Sequence, residues 1–253
     1  MKILAITQAR VGSSRLPKKV LKTIKGITLL EIHLSRILQS KRISKLIVAT
    51  TTETEAKKIV ATSKKLGVTS YRGSIHDVLE RFYLTALRDK PDYIVRLTSD
   101  CPLIDPIEID KVISKCIQGR YDYVSNNLEP TLPDGMDTEV FKFSALERAY
   151  REATLKSDRE HVTPYIWRNS SVKGGKIFSS FSVKYHKDFS KYRLTVDTQE
   201  DFDLIKKIIS HLGTKKGWLD YVDYLNKNPE LMNINSKYER NEGYQKSLKE
   251  DKQ

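Results

Sequence analysis

A chain of 253 residues, 39% hydrophobic and 30% charged, carries enough apolar side chain for a real core, and no apolar stretch nears the ~20 residues of a membrane helix, so a disordered chain and a helical membrane protein are excluded. Its two cysteines, Cys101 and Cys116, form neither a zinc spacing nor a disulfide framework and fit a reducing cytoplasm. The net charge of +13 is unevenly placed: residues 1–50 hold eleven Lys and Arg against Glu31 alone, whereas the tail beyond Gly213 is nearly neutral, with eight basic and seven acidic residues.

In chain order, residues 2–7 (KILAIT) read as a buried strand, too short and too soon followed by polar residues to be a signal peptide. Thr28 and Glu31 form a capping box that opens a helix over 28–40. Residues 45–50 read as a second strand, 54–67 as a helix closed by Gly67, and 68–71 as a short strand. Ser74 or Asp77 starts the next helix, which runs to Arg88, and 92–98 is a strong strand. Asp105 as cap and Pro106 at the first helical position open a helix to about Gln118, and 121–126 is another strand. This βαβα rhythm predicts a mainly parallel sheet with helices on both faces. The rhythm changes over about 127–195, where 138–143, 176–183 and 192–196 look like antiparallel strands of an inserted region, with a helix around 144–153. Residues 199–213 read as the last core helix, which divides the chain into a domain over 1–213 and a partly helical, polar tail over 214–253.

The segment QARVGSSRLPKKVL (8–21) follows the first strand and holds four basic residues and no acid. Ligands of parallel α/β sheets sit beyond the carboxyl ends of the strands, so this loop is a prime site. Gly12 permits close backbone approach, Ser13 and Ser14 offer hydroxyls and amides, Arg10 and Arg15 offer paired donors, and Lys19 offers a point charge. The chemistry suits a nucleoside triphosphate, although the loop has neither the Walker nor the G-x-G-x-x-G spacing. An ordinary basic surface loop is the plainer alternative.

Two aspartates follow predicted strands: Asp100 in VRLTSDCPLIDP and Asp197 in RLTVDTQED. At one sheet edge they could share a divalent cation, since Mg²⁺ prefers one or two carboxylates with phosphate and water. A turn or a helix cap is the commoner role of such an aspartate. Here the caps fall more naturally to Asp105 and Thr198, which leaves Asp100 and Asp197 without an obvious structural duty. Arg96, in a strand, suits an ion pair at least as well as a ligand.

These motifs resemble the cytidylyltransferases that activate acidic sugars, the CMP-KDO and CMP-sialic acid synthetases, and most of all their SpsF-like relatives. Thirteen of fourteen positions match the pattern Q-A-R-x-G-S-S-R-L-P-G-K-V-L, counting the open one; Lys18 stands where the family has Gly. R-x-T-x-D-C-P and R-L-T-V-D-T-x-E-D-F are matched as well, and RNEGYQKSL in the tail is similar to the same group.

The resemblance implies a three-layer α/β/α, Rossmann-like nucleotidyltransferase fold similar to glycosyltransferases of the A type, and the reaction CTP + sugar → CMP-sugar + pyrophosphate in surface polysaccharide or glycan synthesis. It implies that Gln8, Ala9, Arg10, Gly12, Ser13, Ser14, Arg15 and Lys19 bind the nucleotide, with Gly73, Ser74 and Arg81 by the base. Arg10, Arg15, Lys19 and Asp100 carry the reaction, Asp100 and Asp197 hold Mg²⁺, and Asp134, Asp137, Glu139, Glu160 and His161 line the sugar site. For these last residues a solvated turn or a structural hydrogen bond stands beside the site role. The expected partners are CTP and a small sugar in a cytoplasmic homodimer, with no nucleic acid and no membrane. Two other readings rank below: a nucleotide-sugar-dependent glycosyltransferase, whose D-x-D is here SDCP, and a basic nucleic-acid-binding protein, for which no signature motif appears.

Overall fold

The computed structural model describes residues 1–252. Its strands are β1 (Ile3–Gln8), β2 (Thr23–Ile24), β3 (Ile27–Thr28), β4 (Lys45–Thr51), β5 (Thr69–Gly73), β6 (Tyr93–Thr98), β7 (Tyr123–Ser125), β8 (Glu139–Lys142) and β9 (Ser180–Ser182). Its α-helices are α1 (Leu29–Ile37), α2 (Lys57–Lys65), α3 (Val78–Leu87), α4 (Pro106–Gln118), α5 (Phe143–Glu152), α6 (Lys156–His161), α7 (Pro164–Arg168), α8 (Gln199–Leu212), α9 (Trp218–Lys227) and α10 (Glu242–Glu250).

Local chemistry sets the helix starts. Thr28 and Glu31 close a reciprocal capping box at α1, and Thr198 and Asp201 do so at α8. The side chain of Asp77 accepts from the Glu80 amide at α3, and that of Asp105 from the Ile107 amide ahead of Pro106 at α4.

Seven strands form one sheet in the order β5-β4-β1-β6-β8-β7-β9, while β2 and β3 form a separate hairpin. The run from β5 to β6 is parallel, and β8 enters antiparallel to both β6 and β7. The two sides of each central strand feed different layers. In β1, Ile3 and Ala5 face α1, α2 and α4, whereas Leu4 and Ile6 face α3 and α5. Each fully buried aliphatic side chain of this kind contributes about 1.5–3 kcal/mol. The result is a three-layer α/β/α sandwich.

The region 127–195 is woven into this sheet, through β8 between β6 and β7 and through β9 at the edge. Residues 192–196 form only an isolated bridge, Asp134 with Arg193. Thr195 is buried, and so are the apolar Tyr192, Leu194 and Val196. They pack into a third apolar cluster with α8 and α9 instead of joining a ladder. In the tail, Trp218, Tyr221, Val222 and Leu225 of α9 belong to that same cluster.

The strand order reverses between β1 and β6, which both pair in parallel although β4 and β5 lie on the other side of β1. Such a switch point leaves a crevice beyond the strands' carboxyl ends. The loop after β1 and the loop after β6 open into it.

Candidate active site

The loop after β1 is pinned by its apolar residues. Val11, Leu16 and Val20 are buried, and the Val11 carbonyl accepts from the amides of Ser13 (3.0 Å) and Lys18 (3.1 Å). This leaves Arg10, Gly12, Ser14 and Arg15 exposed above the crevice, with Ser13 half-buried and its hydroxyl accepting from the Leu16 amide. Ala9 is buried, and its amide donates to the Ala49 carbonyl. Gln8 closes β1 with a buried Oε1 that has no partner among the described residues. Lys18 adopts φ 59°, ψ 23°, the left-handed region that favours glycine, which accounts physically for Gly in the family pattern.

Lys19 reaches into the crevice. Its Nζ donates to Asp100 Oδ2 at 3.0 Å and to Asp197 Oδ1 at 2.7 Å, with only 14% of its side chain exposed. Burial opposes both charges, but the pair of carboxylates raises Lys19 above its ordinary pKa. The same ammonium, with a Thr98 hydrogen bond, holds Asp100 well below the usual carboxylate range. Asp197 also pairs with Arg15 at 3.0 Å and with Arg193 at 3.5 Å. Arg193 is fixed in turn by Asp201 (2.9 Å) and Asp134 (2.7 Å). Beneath the site, the buried His33 bonds the Cys101 carbonyl (2.8 Å) and the Thr7 hydroxyl (2.9 Å), which ties the Asp100 loop to β1.

The donor set suits a hard divalent cation: two carboxylates, one from the loop after β6 and one just before α8, aim at one point, and the crevice is open to phosphate and water. An ammonium now bridges them, as a cation that neutralises the same two charges. Asp100 and Asp197 therefore fit the role of metal ligands. Among the described residues no group of three or more metal-binding side chains occurs.

On the β5 side, a Cβ at Gly73 would lie 2.8 Å from Tyr71 Cε1 and 3.2 Å from Arg81 Cγ, so the strand end has no room for a side chain. Arg81 is buried and donates to the Ser74 carbonyl. Burial and the nearby Arg10 lower its pKa to about 10. Asp77, one helical turn before Arg81, is held by Arg159 at 2.8 Å.

On the other side, Asp134 and Asp137 flank Gly135, whose φ of +104° and whose Cβ position, 2.7 Å from the Leu194 carbonyl carbon, bring this turn against residues 193–195. Burial and the neighbouring Asp137 push Asp134 up to about 7, against the pull of Arg240 and Arg193. Burial raises Asp137 as well, although Arg240 donates to it. Glu139 is opposite Arg96 in the sheet register and accepts from it at 2.5 Å and from the Tyr123 hydroxyl at 3.0 Å, so both its oxygens are engaged by the protein. His161 and Glu160 both meet Ser247, at 2.9 and 2.8 Å. Burial lowers the pKa of His161, against the pull of Glu160.

The crevice thus gathers Arg15, Lys19, Asp100 and Asp197 directly, with Arg10 and Arg81 on one flank and Asp134 and Asp137 on the other. Sequence reasoning missed Arg240, Glu242 and Ser247, which come from the tail; the only signal for them was the RNEGYQKSL resemblance.

The model of the cytidylyltransferase family matches residues 4–238. The chain belongs to this family. A cytidylyltransferase structure from Leptospira borgpetersenii superposes with a TM-score of 0.87 at 36% identity, covering 94% of this chain and all of the other. The spore coat polysaccharide biosynthesis protein SpsF of Bacillus subtilis is 35% identical over 237 residues, 90% of this chain and 95% of SpsF. An uncharacterized protein of Methanocaldococcus jannaschii is 41% identical over 237 residues, 93% of this chain and 95% of its own length. This cytidylyltransferase is therefore an enzyme of the nucleotidyltransferase class on a three-layer fold, and none of its described helices is long and apolar enough to cross a membrane.

Proposed function

We propose that this cytidylyltransferase transfers the cytidylyl group of CTP to a hydroxyl of a sugar, giving a CMP-sugar and pyrophosphate. The observation that carries this reading is the meeting of Lys19 with Asp100 and Asp197 at the sheet's switch point, beneath the arginines of the loop. A hydroxyl oxygen attacks the α-phosphorus in line and loses its proton to water in the open crevice, the bond from that phosphorus to the bridging oxygen breaks, and pyrophosphate leaves with its electrons. Positioning and charge stabilisation supply most of such catalysis.

Arg10, Arg15 and Lys19 neutralise the triphosphate and the charge that grows on the leaving group. The amides and hydroxyls of Ser13 and Ser14, with Gln8, Ala9 and Gly12, line its path. Gly73, Ser74 and Arg81 wall the base, with Tyr71 and Arg81 packed close against Gly73. Asp100 and Asp197 would hold a divalent cation, Mg²⁺ in our reading, which when bound would supply Lewis-acid stabilisation of phosphate charge. With the carboxylates so occupied, the Lys19 ammonium would be free to pair with the phosphates. Asp134, Asp137, Glu160 and His161 face the sugar, and Glu139, its oxygens held by Arg96 and the Tyr123 hydroxyl, supports that wall.

The finer reading is an acidic sugar destined for surface polysaccharide or glycan, and it rests on the motif resemblance. So does the homodimer, while the cytoplasmic location rests on the cysteine usage and the division into a domain over 1–213 and a tail rests on the residue pattern. The experiment is pyrophosphate release from CTP and Mg²⁺ across a panel of acidic and neutral sugars. Release that depends on one sugar and on both aspartates supports the reading. CTP bound without any sugar-dependent release, or transfer of sugar from a nucleotide sugar, removes it in favour of the glycosyltransferase alternative.

A further inference from the structure

The last helix, α10, packs on α6, and its first residue reaches the loop after β1. Arg15 Nη1 pairs with Glu242 Oε2 of α10 at 2.8 Å while its Nη2 pairs with Asp197 at 3.0 Å, so both ends of the guanidinium fork are held by carboxylates. Glu242 is oriented for this contact: its other oxygen accepts from the Glu239 amide at 3.0 Å, at the start of its own helix. The helix is docked independently of Arg15. Ser247 bonds His161 and Glu160, and the Tyr244 ring stands edge-on to His161 at 5.2 Å and to Trp167 at 5.9 Å. Glu242 is thus a fixed acceptor presented to Arg15.

We propose that Glu242 sets the affinity of the site for its nucleotide, by competing with the ligand's phosphates for the guanidinium of Arg15. The inference rests on the reading that Arg15 grips the triphosphate. A phosphate chain outbids a single carboxylate for a bidentate cation, but only after that carboxylate is displaced. The cost enters every dissociation constant of a ligand that uses Arg15. By linkage, a bound nucleotide loosens the hold on α10 to the same degree. Arg15 and Glu242 are 38% and 35% exposed, so their pair is a weak, screened one, which limits the effect to about fivefold. A competitor of that size keeps the site releasable while leaving a highly charged ligand favoured.

The test is calorimetric titration of the full chain with CTP and Mg²⁺ for wild type, Glu242→Gln, Arg15→Gln and the double variant, at low and high salt. The expected result is CTP binding about three- to fivefold tighter in Glu242→Gln, a gain that fades at high salt and vanishes in the Arg15→Gln background. Unchanged affinity in Glu242→Gln overturns the proposal. Weaker binding there overturns it too and makes Glu242 a residue that positions Arg15. A gain that survives in the double variant shows that Glu242 acts through something other than Arg15, which also overturns it. A wild-type chain that binds no CTP fails the underlying reading and takes this inference with it, an outcome separate from the others.

Discussion

Lys19 and Asp197 stand 178 positions apart in the chain and meet at 2.7 Å. The contact joins the loop after the first strand to the start of α8, and Asp100 completes it from the loop after β6. Lys19→Met leaves two carboxylates side by side without their cation and removes a phosphate donor. We expect kcat/KM for CTP to fall by ~100-fold or more, the scale on which loss of one charge-stabilising donor acts, as measured by pyrophosphate release.

The same ion triad fixes a pH dependence. Asp100 is held below its ordinary value of 3.8, so its share of stability is present above that pH and is lost as the pH falls through the lower folded value. Lys19 is raised above 10.5, so its share is present below that pH and is lost as the pH rises through the higher folded value. The advantage of wild type over Lys19→Met in melting temperature is expected to be widest and flat between about pH 5 and pH 9, shrinking on both sides. Thermal denaturation across pH checks this.

Asp134 behaves in the opposite sense. With its folded pKa raised to about 7, it is favourable when protonated, and its contribution is lost as pH rises through that value. Asp134→Asn is expected to gain stability relative to wild type on going from pH 5 to pH 8, and carbon NMR of the aspartate carboxyls is expected to show one midpoint near 7. An unvarying stability difference over that range would contradict the assignment.

Lys18 pays for its left-handed backbone with about 1 kcal/mol relative to glycine, and its exposed pair with Glu55 at 2.8 Å returns little of that. Lys18→Gly is expected to stabilise the fold by about 0.5–1 kcal/mol in denaturant titration, with the slope unchanged. A loss of stability would mean that the ion pair outweighs the backbone.

What was legible in the sequence was local. The capping box at Thr28, the caps at Asp105 and Thr198, and the cap left between Ser74 and Asp77, which is Asp77, all lie within three residues of their partners. The basic loop after β1 was readable because a polyanion site needs its charges clustered. The strand-like run 192–196 correctly marked burial of Leu194 and Val196 but not pairing, because an apolar extended segment buries its side chains whether or not a neighbouring strand exists. Nor could the sequence place β8 between β6 and β7, since the register of Arg96 with Glu139 is set by contacts across 43 positions. Arg240 and Glu242 lay further out of reach: they meet Asp137 and Arg15 across 103 and 227 positions, from a tail whose balanced charge gave no local cluster.

The most direct measurement of the central claim is calorimetric titration of the four nucleoside triphosphates, with Mg²⁺, into wild type and into the Arg15→Gln/Lys19→Gln variant. The account expects one CTP per chain, bound more tightly than ATP, GTP or UTP, with affinity at least ~100-fold weaker in the variant, because two charge-assisted contacts are lost. A wild type that binds no CTP, or a folded variant that binds it equally well, would contradict the account.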